Sequence, residues 1–122
     1  MIIFSVFNSY NDDATNLKQH KDVKKYLTSK RIPFIEYQGC YKNIKELSIM
    51  INDSNREQVE FLFDLYNQES ILHLDFDWNA KLLYNDGRVE PLGVWQRVPK
   101  HVAEQHDAYS IDLDTNETFI AA

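Results

Sequence analysis

The chain has 122 residues, 43% of them hydrophobic and 26% charged, and carries a net charge of −6. That length holds one domain, residues 1–122, with a real core and no room for a second module. The acidic balance disfavours nonspecific binding of nucleic acid or anionic membrane, since neither polyanion gains from meeting an acidic surface; it suits a cationic ligand or a basic partner, or serves solubility alone. Cys40 is the single cysteine, so an intrachain disulfide and a zinc-finger spacing are both excluded. No run approaches the roughly 18 apolar residues of a membrane span. The opening Met1–Phe7 lacks a basic leader segment and reads as a strand rather than a signal peptide, so the expected location is cytoplasmic.

In chain order, residues 2–7 are β-branched or aromatic and predict a buried strand. The turn formers Asn8 to Asp13 follow. From about Thr15 to Ser29 the spacing is helical, with Leu17, His20, Val23 and Leu27 on one side and Lys18, Lys24 and Lys25 facing out. Pro33 ends that pattern, and residues 34–41 form a second strand. Residues 46–52 form a third. Ser54 and Glu57 have the spacing of a capping box, opening a helix with Val59, Leu62, Phe63 and Tyr66 on one stripe and an end near Asn67. Residues 70–76 predict a fourth strand, with Leu72, Leu74 and Phe76 on its core face. Beyond Asp77 the signal weakens. Residues 80–84 and 88–98 form a hairpin across Asn85-Asp86-Gly87, residues 99–107 a loop or short helix, and residues 108–112 and 118–120 short strands.

The β-α-β-β-α-β order predicts an α+β, ferredoxin-like fold, an antiparallel sheet with two helices on one face and a C-terminal β extension. The second sheet face then needs a cover, from the C-terminal segment or from a neighbouring subunit.

Tyr41 closes the second strand and Glu46 opens the third, so their side chains can meet at one end of the sheet. They are either a polar clamp on a small molecule or a hairpin tyrosine beside a solvated glutamate. Gln68 and Glu69 stand where the second helix gives way to a strand, as surface residues or as a pair reaching across a subunit boundary. Ser9 and Tyr10 follow the first strand, where free N–H groups and an aromatic face suit an adenine or ribose, or merely make a turn. The four histidines show no metal-ligand spacing; His101 and His106, for instance, are five apart rather than four. No calcium loop, glycine-rich phosphate loop or nucleophile elbow is present. No metal is expected.

Together, the element order, the first strand ending near Ser9-Tyr10, the Gly39-Cys40-Tyr41 turn, the Glu46-x-Ser48 strand start and the Val98-Pro99-Lys100 segment resemble the small phage-encoded S-adenosylmethionine lyases, formerly called hydrolases. The likeness spans most of the chain. It implies a homotrimer of ferredoxin-like subunits with sites between subunits, no cofactor, and S-adenosylmethionine as substrate. The implied products are 5′-methylthioadenosine and homoserine lactone. By position, Tyr41 and Glu46 match the family's catalytic tyrosine and glutamate, with Ser9, Tyr10 and Ser48 as substrate-binding residues, and Gln68 and Glu69 match the pair given by the adjoining subunit. Nucleic acid and membrane are not expected as partners. Rival readings are a trimeric sensor that binds an adenine-containing ligand without turnover, which needs a basic phosphate cluster, an acidic DNA mimic, and an interaction-only protein.

Overall fold

Ile2, Ile3 and Phe4 are all buried, which a strand with one solvated face does not allow. In the computed structural model, which describes residues 1–122, this strand, β1 (Ile2–Phe4), has helices against one face and a barrel interior against the other. The chain continues through α1 (Asp13–Ser29), β2 (Phe34–Tyr41), β3 (Ile44–Ile51), a 3-10 turn (Asp53–Asn55), α2 (Arg56–Leu65) and β4 (Ser70–Leu74). Then come β5 (Asn79–Tyr84), β6 (Val89–Val98), α3 (Lys100–Ala103), β7 (Ala108–Asp112) and β8 (Thr118–Ala121).

The open ferredoxin-like sheet expected from the sequence is not what forms. The eight strands close into a barrel in the order β1-β3-β2-β7-β8-β6-β5-β4, every neighbouring pair antiparallel. What the sequence presents as a C-terminal extension is half of this ring: β7 adds to the free edge of β2, β5 to that of β4, and β6 and β8 join them. The second sheet face is therefore covered by the sheet itself. An eight-stranded barrel is just narrow enough for side chains to fill. Here Tyr37, Met50, Leu74 and Trp95 fill it with Ile3 and Ala80. The Trp95 and Phe119 rings stack at 5.5 Å and Tyr37 meets both edge-on at 6.0 Å.

The second core lies outside the barrel, where Val23 and Leu27 of α1 and Val59 and Leu62 of α2 cover Ile2, Phe4, Ile49 and Ile51. Three local expectations change here. Leu17 is largely exposed, and Asn16 takes the buried position one residue earlier. Ser54 does not cap α2: the Asn52 side chain accepts from the Ser54 amide at 2.9 Å, and a 3-10 turn leads into the helix instead. Phe76 is fully exposed because β4 stops at Leu74 and the chain turns on Asp75, whose carboxylate accepts from the amides of Asp77 and Asn79. At the start of α1, Asp12 accepts from the Thr15 amide at 2.7 Å, a cap that fixes where the helix begins.

Closure depends on a tight passage between β6 and the residues after β8. Val94 and Ala122 exchange both backbone hydrogen bonds, at 2.9 and 3.0 Å. Gly93 beside them has φ +101°, and a Cβ there would fall 2.4 Å from the Ala122 carbonyl carbon. Gly93→Ala is expected to destabilise the fold by about 2 kcal/mol, the order of one strained backbone position. A urea midpoint equal to that of the unchanged protein would contradict this account of the seam.

Candidate active site

β1 stops at Phe4 while its two neighbours run on. It pairs with β3 only at Ile49, Met50 and Ile51, and with β4 only at Leu72 and His73. At Ser5 the chain leaves the ladder: Ser5 Oγ donates to the Leu47 carbonyl at 2.7 Å and accepts from the Phe7 amide at 3.1 Å. The wall is thus split between the first half of β3 and the start of β4. The split opens a cleft of about 390 Å³, a volume in the range of small-ligand sites. Ile3, Leu72 and Leu82 form its apolar floor.

Three segments carry the polar rim. The first is the loop after β1, which brings Asn8, Ser9 and Tyr10 to the cleft. The second is β3. Period-two alternation puts Glu46 and Ser48 on the same face as the interior residue Met50, and both line the cleft. Across the ladder Glu46 faces Gly39, so no side chain stands directly beside it on β2. Much of Glu46 is open to solvent, yet the protein packed around its carboxyl is dense enough that desolvation raises its pKa above the ordinary 4.5.

The third segment follows α2. The Gln68 amide donates to the Phe63 carbonyl at 2.8 Å and the Asn67 amide to the Asp64 carbonyl at 3.1 Å, with Asn67 at φ +56°. This is a Schellman ending, in which asparagine is one of the few side chains that accept the left-handed position. The hairpin between β5 and β6 then pins the next two residues: the Asn85 amide donates to the Glu69 carbonyl at 2.9 Å and its side chain to the Gln68 carbonyl at 3.4 Å. Gln68 and Glu69 stand at the same cleft as Glu46 within one chain.

Of the residues singled out from the sequence, Ser9, Tyr10, Glu46, Ser48, Gln68 and Glu69 surround this one cleft, and Tyr41 lies outside it. Lys42 (φ 48°) and Asn43 (φ 68°) make a two-residue turn between β2 and β3. Tyr41 there faces Ile44, on the same sheet face as Glu46 and one diagonal step away. Its ring is 55% exposed, with Lys42 Nζ 5.2 Å from the ring centre. Sequence reasoning missed Ser5, Asn8, Asn67 and Ser70. Ser70 had a usable signal, sharing the strand face of Leu72; Asn67 had one as the residue that ends a helix.

The electrostatics of the lining are one-sided. Glu46 and Glu69 contribute two carboxylates, and no lysine, arginine or histidine lines the cleft. Lys24, Lys25, Lys30 and Arg31 lie in or just after α1 and reach none of it. Such a lining attracts a cation and offers hydroxyls and amides to neutral or anionic groups of the same ligand, but it has nothing to neutralise a polyphosphate.

A comparison with curated proteins finds no match to this chain. The sequence model of the S-Adenosylmethionine lyase family matches residues 2–122. The chain therefore belongs to the S-adenosylmethionine lyase family and is an enzyme, a lyase that acts on S-adenosylmethionine.

Proposed function

We propose that the cleft folds S-adenosylmethionine so that its own carboxylate attacks its Cγ. A C–O bond forms, the Cγ–S bond breaks, and its electron pair goes to the sulfonium sulfur. The products are 5′-methylthioadenosine and homoserine lactone. The single observation that carries this reading is the sign of the lining, two carboxylates and no base, around a volume suited to a small cationic nucleoside. The same observation weighs against the rival sensor of adenine nucleotides, which would need cations for phosphate.

The reaction asks little of the protein. Holding the methionine chain bent, carboxylate against Cγ, removes an orientational barrier of several kcal/mol. Opposite charges disappear as the ring closes, so a site poorer in water than bulk solvent favours the transition state. A carboxylate held against the sulfonium would stabilise the substrate more than the transition state. Glu46 is therefore assigned to the substrate ammonium and to orientation. Tyr41, next to Glu46 on the same sheet face, positions the methionine part through its hydroxyl. Ser48, Gln68 and Glu69 close the pocket around that part, and Ser9 and Tyr10 meet the adenosine. The assembly is a homotrimer that covers the open side of each cleft; exposed Tyr41 and Ile44, 55% and 63% accessible in the single chain, support a contact at that hairpin. The biological role is phage counter-defence, removing the methyl donor that host restriction–modification systems use.

Incubating the purified protein with S-adenosylmethionine is expected to yield methylthioadenosine, with homoserine lactone appearing by mass before homoserine. No methylthioadenosine would favour the sensor instead. Sedimentation is expected to give the mass of three chains, and a monomer that turns over at full rate would remove the trimer from the scheme. Glu46→Gln should leave a folded protein with kcat/KM about 100-fold lower, the order of one hydrogen bond to a charged group. Glu46 must be ionised to hold the ammonium, and desolvation raises its pKa, so kcat/KM falls with decreasing pH along a limb centred above 4.5. The bound cation favours the ionised form, which moves the limb in kcat to lower pH. Near-normal turnover of Glu46→Gln would refute the role.

A further inference from the structure

The loop between Phe4 and α1 forms one wall of the cleft, yet it belongs to no strand or helix. Its fixed shape has to come from somewhere else. Asn16, in the first turns of α1, is only 5% exposed. An amide at a buried helix position is unfavourable unless both its donor and its acceptor are used. Both are used on one residue: the Asn8 amide donates to Asn16 Oδ1 at 3.0 Å, and Asn16 Nδ2 donates to the Asn8 carbonyl at 3.1 Å. The side chain holds the Asn8 backbone as a neighbouring strand would.

Asn8 passes that restraint on. Its Oδ1 accepts from the Tyr10 amide at 2.8 Å, and its carbonyl also accepts from the Asn11 amide at 3.1 Å. Asn8, Ser9 and Tyr10 line the cleft, whereas Asn16 does not. The Tyr10 side chain is 90% exposed. The turn that carries it, and not packing, therefore sets the point from which the side chain leaves the backbone.

The geometry points to Asn16 as a positioning residue for substrate binding, acting through Asn8 to present Ser9 and Tyr10 to the adenosine end of the ligand. The identity of that ligand rests on the reaction proposed above. Asn16 touches no reacting atom, so its loss weakens binding of the nucleoside without slowing ring closure in substrate already bound.

Asn16→Ala removes both bonds. Asn16→Asp keeps the acceptor for the Asn8 amide and loses the donor to the Asn8 carbonyl. For each variant the measurements are KM and kcat with S-adenosylmethionine, the Kd of methylthioadenosine by calorimetry, and Tm. In Asn16→Ala, KM and Kd are expected to rise together by about 10-fold, the scale of a small misplacement of a positioning group, with kcat within about 2-fold. Asn16→Asp sets a carboxylate oxygen against the Asn8 carbonyl at a buried position, so it should raise KM and Kd at least as much as Asn16→Ala. Ile32→Ala, in the core at the far end of α1, lowers Tm but should leave KM and Kd unchanged. The assignment is overturned if folded Asn16→Ala binds methylthioadenosine normally, or if Ile32→Ala reproduces the loss. If Asn16→Ala does not fold, Asn16→Asp decides in the same way. An unchanged protein that makes no methylthioadenosine overturns the proposed reaction but not this assignment, because the calorimetric Kd reads Asn16 by itself. An unchanged protein that does not bind methylthioadenosine overturns the assignment.

Discussion

The structure depends on a three-residue strand that has to serve two cores. Ile2 and Phe4 pack under the helices, and Ile3 packs into the barrel. A strand buried on both faces must be apolar at every position, and three consecutive large side chains satisfy that in the shortest span. The same brevity creates the cleft. A β1 two residues longer would continue pairing with β3 beyond Ile49 and with β4 beyond Leu72, and the wall would be sealed. Here the backbone turns out at Ser5, whose hydroxyl replaces the next ladder bond by donating to Leu47. Core and site are thus two consequences of where one strand stops.

The legible part of the fold was local. The positions of β2, β4, both main helices and the β5–β6 hairpin follow from periodicity, from Pro33 and from Asn85-Asp86-Gly87. Closure was not legible, because its strands show little of the expected alternation. Of the ten residues of β6, only Trp95 is buried, and in β7 only Asp112. A ring needs each such strand to place one or two large side chains inside, and a long apolar face is not required. The open-sheet expectation failed there: a cover for the second face, from the C-terminal segment or a neighbouring subunit, was foreseen, but the C-terminal strands joining both sheet edges to close a ring were not. The candidate site was legible at element ends, where Glu46, Gln68 and Glu69 stand out as polar residues beside apolar strands. The loop residues Ser5 and Asn8 carry no such contrast, since their roles come from hydrogen bonds that sequence spacing does not reveal.

The charge of the cleft is best understood together with its limits. Two carboxylates with no lysine, arginine or histidine attract a sulfonium-ammonium ligand, but attraction alone would not accelerate the proposed ring closure, in which charge disappears. The useful arrangement puts negative charge on the part of the ligand that stays charged, the ammonium, and leaves the sulfonium to apolar and amide surroundings. The lining has the components for this separation. Glu46 and Ser48 project from β3, while Ile3, Leu72 and Leu82 make a floor without ionisable groups. Glu46 fits the same logic: the protein around it raises its pKa above the ordinary value although much of the residue is open to solvent, so a cation bound beside it would favour the ionised form.

Helix α1 shows how the fold divides stability from presentation. Its C-terminal half docks through Val23 and Leu27, which are almost fully buried in the outer core. Its N-terminal half docks through the polar groups of Asn16 and His20, and Lys24, one turn further on beside Val23, joins the His20 contact. His20 Nε2 lies 2.5 Å from Glu36 Oε2, and Lys24 Nζ lies 3.1 Å from the same oxygen. Desolvation pushes the Glu36 carboxyl up, but the hydrogen bonds from His20 and Lys24 outweigh it and hold its pKa below the ordinary value. His20 Nδ1 remains without a partner, at a cost of roughly 1–3 kcal/mol. Apolar side chains of similar volume at positions 16 and 20 would avoid burying these polar atoms, and a close-packed core tolerates volume-conserving choices best. They would not set the direction of anything, because hydrophobic contact is non-directional. Hydrogen bonds are directional, and the end of α1 that uses them is the end beside the loop that walls the cleft. A helix seated only by its apolar stripe could slide or rotate slightly without much loss, whereas the contacts of His20 and Lys24 with Glu36 of β2 fix α1 against the barrel, and the bonds of Asn16 then fix the loop at Asn8 against the helix.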